Sequence, residues 1–323
     1  MTRILLRAYS HLLAVCLLAA VPVALGADTA PMRLHVAPEV NRGEVLRVIV
    51  DGTGLVAVLA RLTVPGARPV EAPGVRVAEV SGETGRWQVL LGIDHGSAGG
   101  EALLEVEVET TTDEGWRVLS RTITVVPRAF PFEEIALNTA MSALRRTEDP
   151  RRYEESRELW ALLQSADAAA AHHTGRFIYP LEAYRRTSAF GHRRLFRYTD
   201  GGFARSAHNG IDLAAPTGTP VRAPARGRVV MAVDRLITGW TIVLEHQPGV
   251  YSVYYHLESV GVAAGAMVNQ GVIIGTVGST GVSTGPHLHW EVRVAGAAVD
   301  PEWFVSEPLV DMNAAPGALS TLP

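Results

Sequence analysis

The sequence contains no lysine: all 29 of its lysine-plus-arginine residues are arginine, a usage that carries no chemistry of its own. Its 323 residues include a single cysteine, Cys16, inside an N-terminal apolar run. A chain cleaved behind that run has neither thiol nor disulfide and must be held together by packing. No other segment approaches the roughly 20 apolar residues of a membrane-spanning helix, so the mature chain is expected to have no membrane span. The helical zinc signature H-E-x-x-H is also missing, so any metal site has to be built on something other than one helix. Neither sign of charge dominates, and a formal net charge of -4 argues against a nucleic-acid partner.

What is present begins with Arg3 and Arg7, an apolar run from Leu12 to Leu25, and Ala24-Leu25-Gly26 ahead of Ala27. This is the layout of a cleavable secretory signal over residues 1–26, placing the protein in the periplasm, the cell envelope or the medium. An uncleaved anchor and a lipid-modified Cys16 are the rival readings. The apolar run is short for the first, and Val15 ahead of the cysteine suits the second poorly.

The length suggests two globular units with connecting material. Over residues 28–127, seven alternating runs ("MRLHVAP", "VLRVIVDG", "LVAVLARLTVPG", "VRVAEVSG", "RWQVLLGI", "ALLEVEVET", "WRVLSRTITVVP") are punctuated by Gly, Pro and Asp. They predict an immunoglobulin-like β-sandwich, whose His35 and His95 read as isolated surface or turn histidines. In 128–175 the period becomes helical through Ile135, Leu137, Met141 and Leu144, then Leu159, Leu162 and Leu163, with a break at Asp149-Pro150. This predicts a two-helix connector, with the alanine run 168–171 as a helix end and His172-His173 at a solvated terminus. Residues 176–305 return to short strands and many glycines, a second all-β domain, and 306–323 read as a flexible tail. The fold class is therefore mainly β.

Of the eleven histidines, four in the second domain stand in short motifs: His208 in "HNGID", His256 in "YYHL", and His287 and His289 in "GPHLHW". Side chains at i and i+2 of a strand share a face about 6.6 Å apart, so His287 and His289 point one way and Leu288 the other. The same parity puts Tyr254 with His256 and turns Tyr255 and Leu257 to the opposite face. Asn209-Gly210 reads as a turn that carries His208 toward Asp212 at a strand start. A catalytic zinc site needs three ligands from His, Asp or Glu and an open fourth position, and this set can supply them. Gly278, Gly281 and Gly285 make a loop that is either one wall of a groove or a plain hairpin connection. His246 reads as structural. His192, Arg193, Arg194 and Arg197 form a basic patch, either solvated or in touch with anionic wall polymers.

From Phe190-Gly191 to Asp300-Pro301 these residues, with "HNGIDLAAPTGTPVRAPARGRVV", "YYHL" and "GSTGVSTGPHLHWEVRV", resemble the lysostaphin-like, LytM-type zinc metallopeptidases that cut peptidoglycan peptides. The resemblance implies an antiparallel β-sheet metallopeptidase domain of the duplicated hybrid motif type. It further implies Zn2+ held by His208, Asp212 and His289, with His256 and His287 as the two catalytic histidines outside the ligand set. The order of their roles stays open. A tyrosine that assists the reaction in some family members has no certain counterpart, Tyr198 and Phe203 being the nearest aromatic residues. The implied substrates are peptidoglycan peptides, and the N-terminal domain would offer a surface to an envelope protein. A catalytically silent wall-binding regulator is the alternative, and a groove covered by the connector or by residues 176–202 is a further reading.

Overall fold

The structure is a computed structural model that describes residues 32–81, 84–111 and 115–311. The expected signal peptide, Cys16 and the last residues of the expected tail, 312–323, lie outside the described residues.

Residues 33–126 carry β1 (Arg33–Val36), β2 (Glu39–Asn41), β3 (Val45–Thr53), β4 (Leu55–Thr63), β5 (Val70–Pro73), β6 (Val75–Ser81), β7 (Thr84–Gly92), β8 (Gly100–Thr110) and β9 (Trp116–Val126). All seven expected runs are strands. The additional β2 and β5 are only three and four residues long, too short to display a period. One sheet runs β1-β3-β7-β6 and the other β2-β9-β8-β4-β5. Alternation explains β8 directly, because Ala102, Leu104, Val106 and Val108 are buried while Glu101 and Leu103 are exposed. Those buried residues join Leu46, Val48, Val50, Leu91 and Ile123 in one apolar core between the sheets.

The connector contains β10 (Phe132–Ala136), α1 (Thr139–Arg146) and α2 (Pro150–Leu163). Ile135 is therefore in a strand and not, as its spacing suggested, in a helix; β10 pairs in parallel with β12 (Arg193–Arg197), so sheet pairing overrides the local period. Leu137 lies between strand and helix, and packs with Met141 on Phe196. The helices start where side-chain caps are available: Asn138 accepts from Met141 N, and Asp149 accepts from Arg151 N ahead of Pro150. The alanine run does not end a helix, because α2 stops at Leu163 and Asp167 caps a separate turn through Ala169 N.

The remaining elements are β11 (Arg185–Ser188), β13 (Phe203–Ala207), β14 (Gly210–Ala214), β15 (Pro220–Arg222), β16 (Gly227–Arg235), β17 (Gly239–Gln247), β18 (Val250–Val260), β19 (Met267–Val268), β20 (Ile273–Val277), β21 (His287–Val294), β22 (Ala297–Val299) and α3 (Pro301–Ser306). The main sheet follows β11-β14-β21-β18-β17-β16-β19, with β15, β20 and β22 attached, while β10, β12 and β13 make a separate small sheet. One face of β14 and β21 places Ile211, Leu213, Leu288, Trp290 and Val292 in a core that also takes in Val45 and Leu90 from the β1-β3-β7-β6 sheet. That apolar face fixes the strand register, and so decides what the opposite face presents.

Candidate metal centre

Strand register brings the expected ligands together. In β14 and β21, Asp212 stands across from His289 and Ala214 from His287, and in β18 Tyr255 stands across from His289 on its other side. His208 enters from just beyond β13. His208 Nε2, Asp212 Oδ1 and His289 Nδ1 lie 3.0, 2.7 and 2.9 Å from one another, and all three residues are buried.

The rings' outer hydrogen bonds decide what these atoms offer. His208 Nδ1 is 2.7 Å from Ala189 O, and His289 Nε2 is 2.9 Å from Glu291 Oε1. Both partners only accept, so these nitrogens carry the protons and the inward ones keep lone pairs. Two imidazole lone pairs and a carboxylate oxygen thus converge on one space, which is tenable only with a cation or a proton among them. Burial works against charge on His289, but hydrogen bonds to Asp212 and Glu291 outweigh it and raise its pKa to about 9. A bound metal and that proton are competitors. Burial would raise Asp212, yet His208 and His289 hold its carboxyl well below the usual range. Arg194 Nη2 donates to Asp212 Oδ2 at 2.5 Å, fixing one carboxylate oxygen and leaving Oδ1 for the cluster.

His256 and His287 flank it. His256 Nδ1 is 2.8 Å from Thr280 O, His287 Nδ1 is 2.8 Å from Gly285 O, and the ring centroids are 4.9 Å apart. The loop from Gly278 to Gly285 therefore does more than connect strands, since its carbonyls orient both rings and leave each Nε2 as an acceptor. Ser283, Thr284 and Gly285 also line the 540 Å³ cavity over the cluster. Burial and the neighbouring His287 and His289 lower His256 to about 3, and burial lowers His287 against the opposing pull of Asp212.

Several expectations need correction. Tyr255 faces the site and Tyr254 the core, the reverse of simple alternation, because His256 takes a left-handed φ of 62° and inserts an irregularity into β18. Gly210 does not serve a turn: it is the first residue of β14, where a Cβ would meet Trp290 O at 2.2 Å. The basic patch is largely neutralised, since β10 sets Glu133 against Arg194 and His192, and Glu134 against Arg197. His95 is not isolated, for its Nε2 is 3.0 Å from Asn209 Oδ1, and His35 is 3.2 Å from Asp51. Nor is His172-His173 a frayed helix end, since both backbone N–H groups bond to His246 O. Tyr198 packs under Arg146, and neither it nor Phe203 lines the cavity. Glu291 and Arg293 were missed, although the alternation that paired His287 with His289 puts them on the same face.

Residues 206–301 match the Peptidase family M23. The chain belongs to that family. Over 94 residues it is 48% identical to the DD-carboxypeptidase/endopeptidase Mpg of Neisseria meningitidis, covering 29% of this chain and 22% of that protein. Over 123 residues it is 39% identical to the peptidoglycan DD-endopeptidase ShyA of Vibrio cholerae, covering 38% and 28%. The M23 chain thus spans less than a third of the length of either curated relative. Among solved structures, the catalytic domain of lysostaphin from Staphylococcus simulans shares 32% identity over 38% of this chain and 93% of its own, with a TM-score of 0.32. A Pseudomonas aeruginosa protein assigned as a peptidase M23 aligns over 82% of this chain and 93% of its own, with 26% identity and a TM-score of 0.57.

Proposed function

We propose that this M23 protein is an exported zinc endopeptidase that cuts peptide crosslinks or stem peptides of peptidoglycan. The carrying observation is the convergence of the His208, Asp212 and His289 acceptor atoms under a cavity that two further imidazoles overlook. Names of relatives support the substrate class, since Mpg and ShyA are both described as endopeptidases and ShyA as acting on peptidoglycan.

His208 Nε2, Asp212 Oδ1 and His289 Nδ1 would hold zinc. When bound, it polarises the scissile carbonyl and makes water acidic enough to attack near neutral pH. The chain's own residues then handle the protons. With Nδ1 committed to backbone carbonyls, the Nε2 atoms of His256 and His287 accept hydrogen bonds from the attacking water and hold its orientation. His287 takes the proton, because its Nε2 is 3.7 Å from Asp212 Oδ1 and the carboxylate favours the imidazolium that forms. The same nitrogen then passes the proton to the leaving amine. His256, with its pKa lowered to about 3, stays neutral and serves as the fixed acceptor.

The N-terminal domain, an immunoglobulin-like sandwich in this reading, contributes Val45 and Leu90 of one sheet to the core beneath the site and positions the enzyme for an envelope partner. The test is metal content of the purified protein, followed by mass spectrometry of defined muropeptides digested with and without chelator. One equivalent of zinc and chelator-sensitive release of peptide fragments are expected; intact muropeptides with the zinc-loaded protein would refute the assignment.

A further inference from the structure

Many of the arginines of this protein are matched to carboxylates. Arg47 pairs with Asp311, Arg61 with Glu71, Arg86 with Asp51, Arg128 with Asp300, and Arg228 with Asp167 and Glu245. One cavity gathers several arginines that are not so matched. Beside the metal-centre cavity lies a second one of 330 Å³, and the two share Arg145, Asn209, Ile237, Thr238, Tyr255 and Glu291 in their walls. Four arginines and one glutamate line the second cavity. The glutamate, Glu291, is already used by Arg293 and His289. The other three arginines have no carboxylate partner among the described residues.

Arg235 is the strongest case. It is 7% exposed, its Nη1 reaches Thr238 Oγ1 at 3.2 Å, its Nη2 reaches the Glu155 carbonyl at 3.1 Å, and its Nε is buried without a partner. The Glu155 carboxylate is directed elsewhere, to Arg151 and to Leu236 N. Among the described residues Arg152 donates to the carbonyls of Arg145 and Thr147. The Arg145 guanidinium lies 3.9 Å from the centre of the Phe196 ring, with its Nε also buried and unpartnered. A buried guanidinium without a counter-charge is costly unless something supplies one. Tyr255 links the two regions, because it lines both cavities and stacks on His289.

We infer that the second cavity is a carboxylate subsite, in which Arg145, Arg152 and Arg235 receive a free carboxylate of a peptide whose scissile amide lies over the His208–Asp212–His289 cluster. The inference rests on the endopeptidase reading and narrows its substrate to peptides with an anionic group near the cleaved bond. Planar guanidinium forks suit a carboxylate geometrically, and their desolvated setting makes an uncharged carboxamide a poor replacement. The three arginines stand on α1, α2 and the end of β16, outside β14 and β21, which carry Asp212 and His289.

The test uses one acetylated stem pentapeptide ending in D-Ala–D-Ala, with its internal carboxyls amidated, made as the free acid and as the C-terminal carboxamide. Both are titrated calorimetrically into the zinc-loaded full chain, and their hydrolysis is followed in parallel by mass spectrometry. The free acid is expected to be favoured about tenfold or more in Kd or kcat/KM, and the ratio is expected to fall to within about twofold in Arg145→Gln/Arg152→Gln. These two arginines are only half-buried, so the variant does not depend on the core accepting a change. Arg235→Lys, which keeps the charge and loses the fork, is expected to lower the ratio as well. Equal handling of acid and amide by the unaltered protein, or an unchanged ratio in the double variant, would overturn the subsite. Acid-selective binding without hydrolysis would support the subsite, whereas defined crosslinked muropeptides left intact by the same zinc-loaded protein would count against the endopeptidase reading alone.

Discussion

Tyr255 lies flat against His289, with ring planes 12° apart and centroids separated by 5.3 Å. The contact exists because the left-handed residue that follows, His256, lets two consecutive β18 side chains address the same cavity. Tyr255 blocks one face of the imidazole while Glu291 holds its Nε2, so His289 has little freedom to rotate away from the cluster. Metal affinity should therefore depend on residues that never touch the metal.

Glu291→Gln tests that dependence. Glu291 is 3% exposed; burial alone would raise its pKa, but Arg293 and His289 outweigh burial and hold it at about 2. The amide keeps the shape and removes the charge, leaving Arg293 with a weaker partner and His289 with a weaker acceptor. Zinc affinity, measured by competition with a chelating dye, should fall about 10- to 100-fold. Unchanged affinity would show that Tyr255 and the strand register orient His289 without help.

His287→Ala and His256→Ala separate chemistry from metal binding. Neither ring belongs to the triangle of closest acceptor atoms, so both variants should retain one equivalent of zinc by elemental analysis. Hydrolysis of a defined muropeptide should drop by about 10²- to 10⁴-fold in His287→Ala, the usual range for a proton-transfer group. Loss of zinc together with activity would instead make His287 part of the metal set.

The parts of this arrangement that were legible in the sequence are those governed by local rules. The motifs carrying His208, Asp212, His256, His287 and His289 could be read as one constellation, and alternation correctly paired His287 with His289. It failed at Tyr254 and Tyr255, because a single left-handed φ at His256 is set by the Thr238–His256 and Thr280–His256 contacts and leaves no mark in a hydrophobic pattern. Ile135 failed for a similar reason: parallel pairing with Phe196, some sixty residues away, decides its conformation. The arginine-lined cavity was beyond reach because α1, α2 and β16 meet there only in three dimensions.

Gly210→Ala should damage the metal centre through the backbone. The new Cβ would meet Trp290 O at 2.2 Å and Trp290 C at 2.8 Å, and neither backbone atom can rotate aside as a side chain would. Relief requires β14 to move off β21 two residues before Asp212 pairs with His289. The cost should be about 1–3 kcal/mol of stability, together with weaker zinc binding. Thermal unfolding of metal-free protein and dye competition measure the two effects, and a variant matching the parent in both would show that the strand pair absorbs the methyl group.

His246 should make stability depend on pH without any involvement of the metal. Its ring is fully buried, with Nδ1 2.9 Å from Arg226 O and Nε2 2.7 Å from Ser252 Oγ. Burial, reinforced by the nearby His172 and His173, lowers its pKa to about 3, against the ordinary 6.5 of the unfolded chain. Between those values the unfolded state binds a proton that the folded state refuses, so this contribution is fully present above pH 6.5 and is lost as pH falls toward 3. The slope is about 1.4 kcal/mol per pH unit, which amounts to about 2 kcal/mol between pH 7 and pH 5. Other groups titrate in the same window, so the measurement is a difference: urea unfolding of the parent and of His246→Gln at both pH values. The glutamine variant, although less stable at pH 7, should lose about 2 kcal/mol less on acidification, whereas parallel losses in the two proteins would mean that His246 gains a proton in the folded state as easily as in the unfolded one.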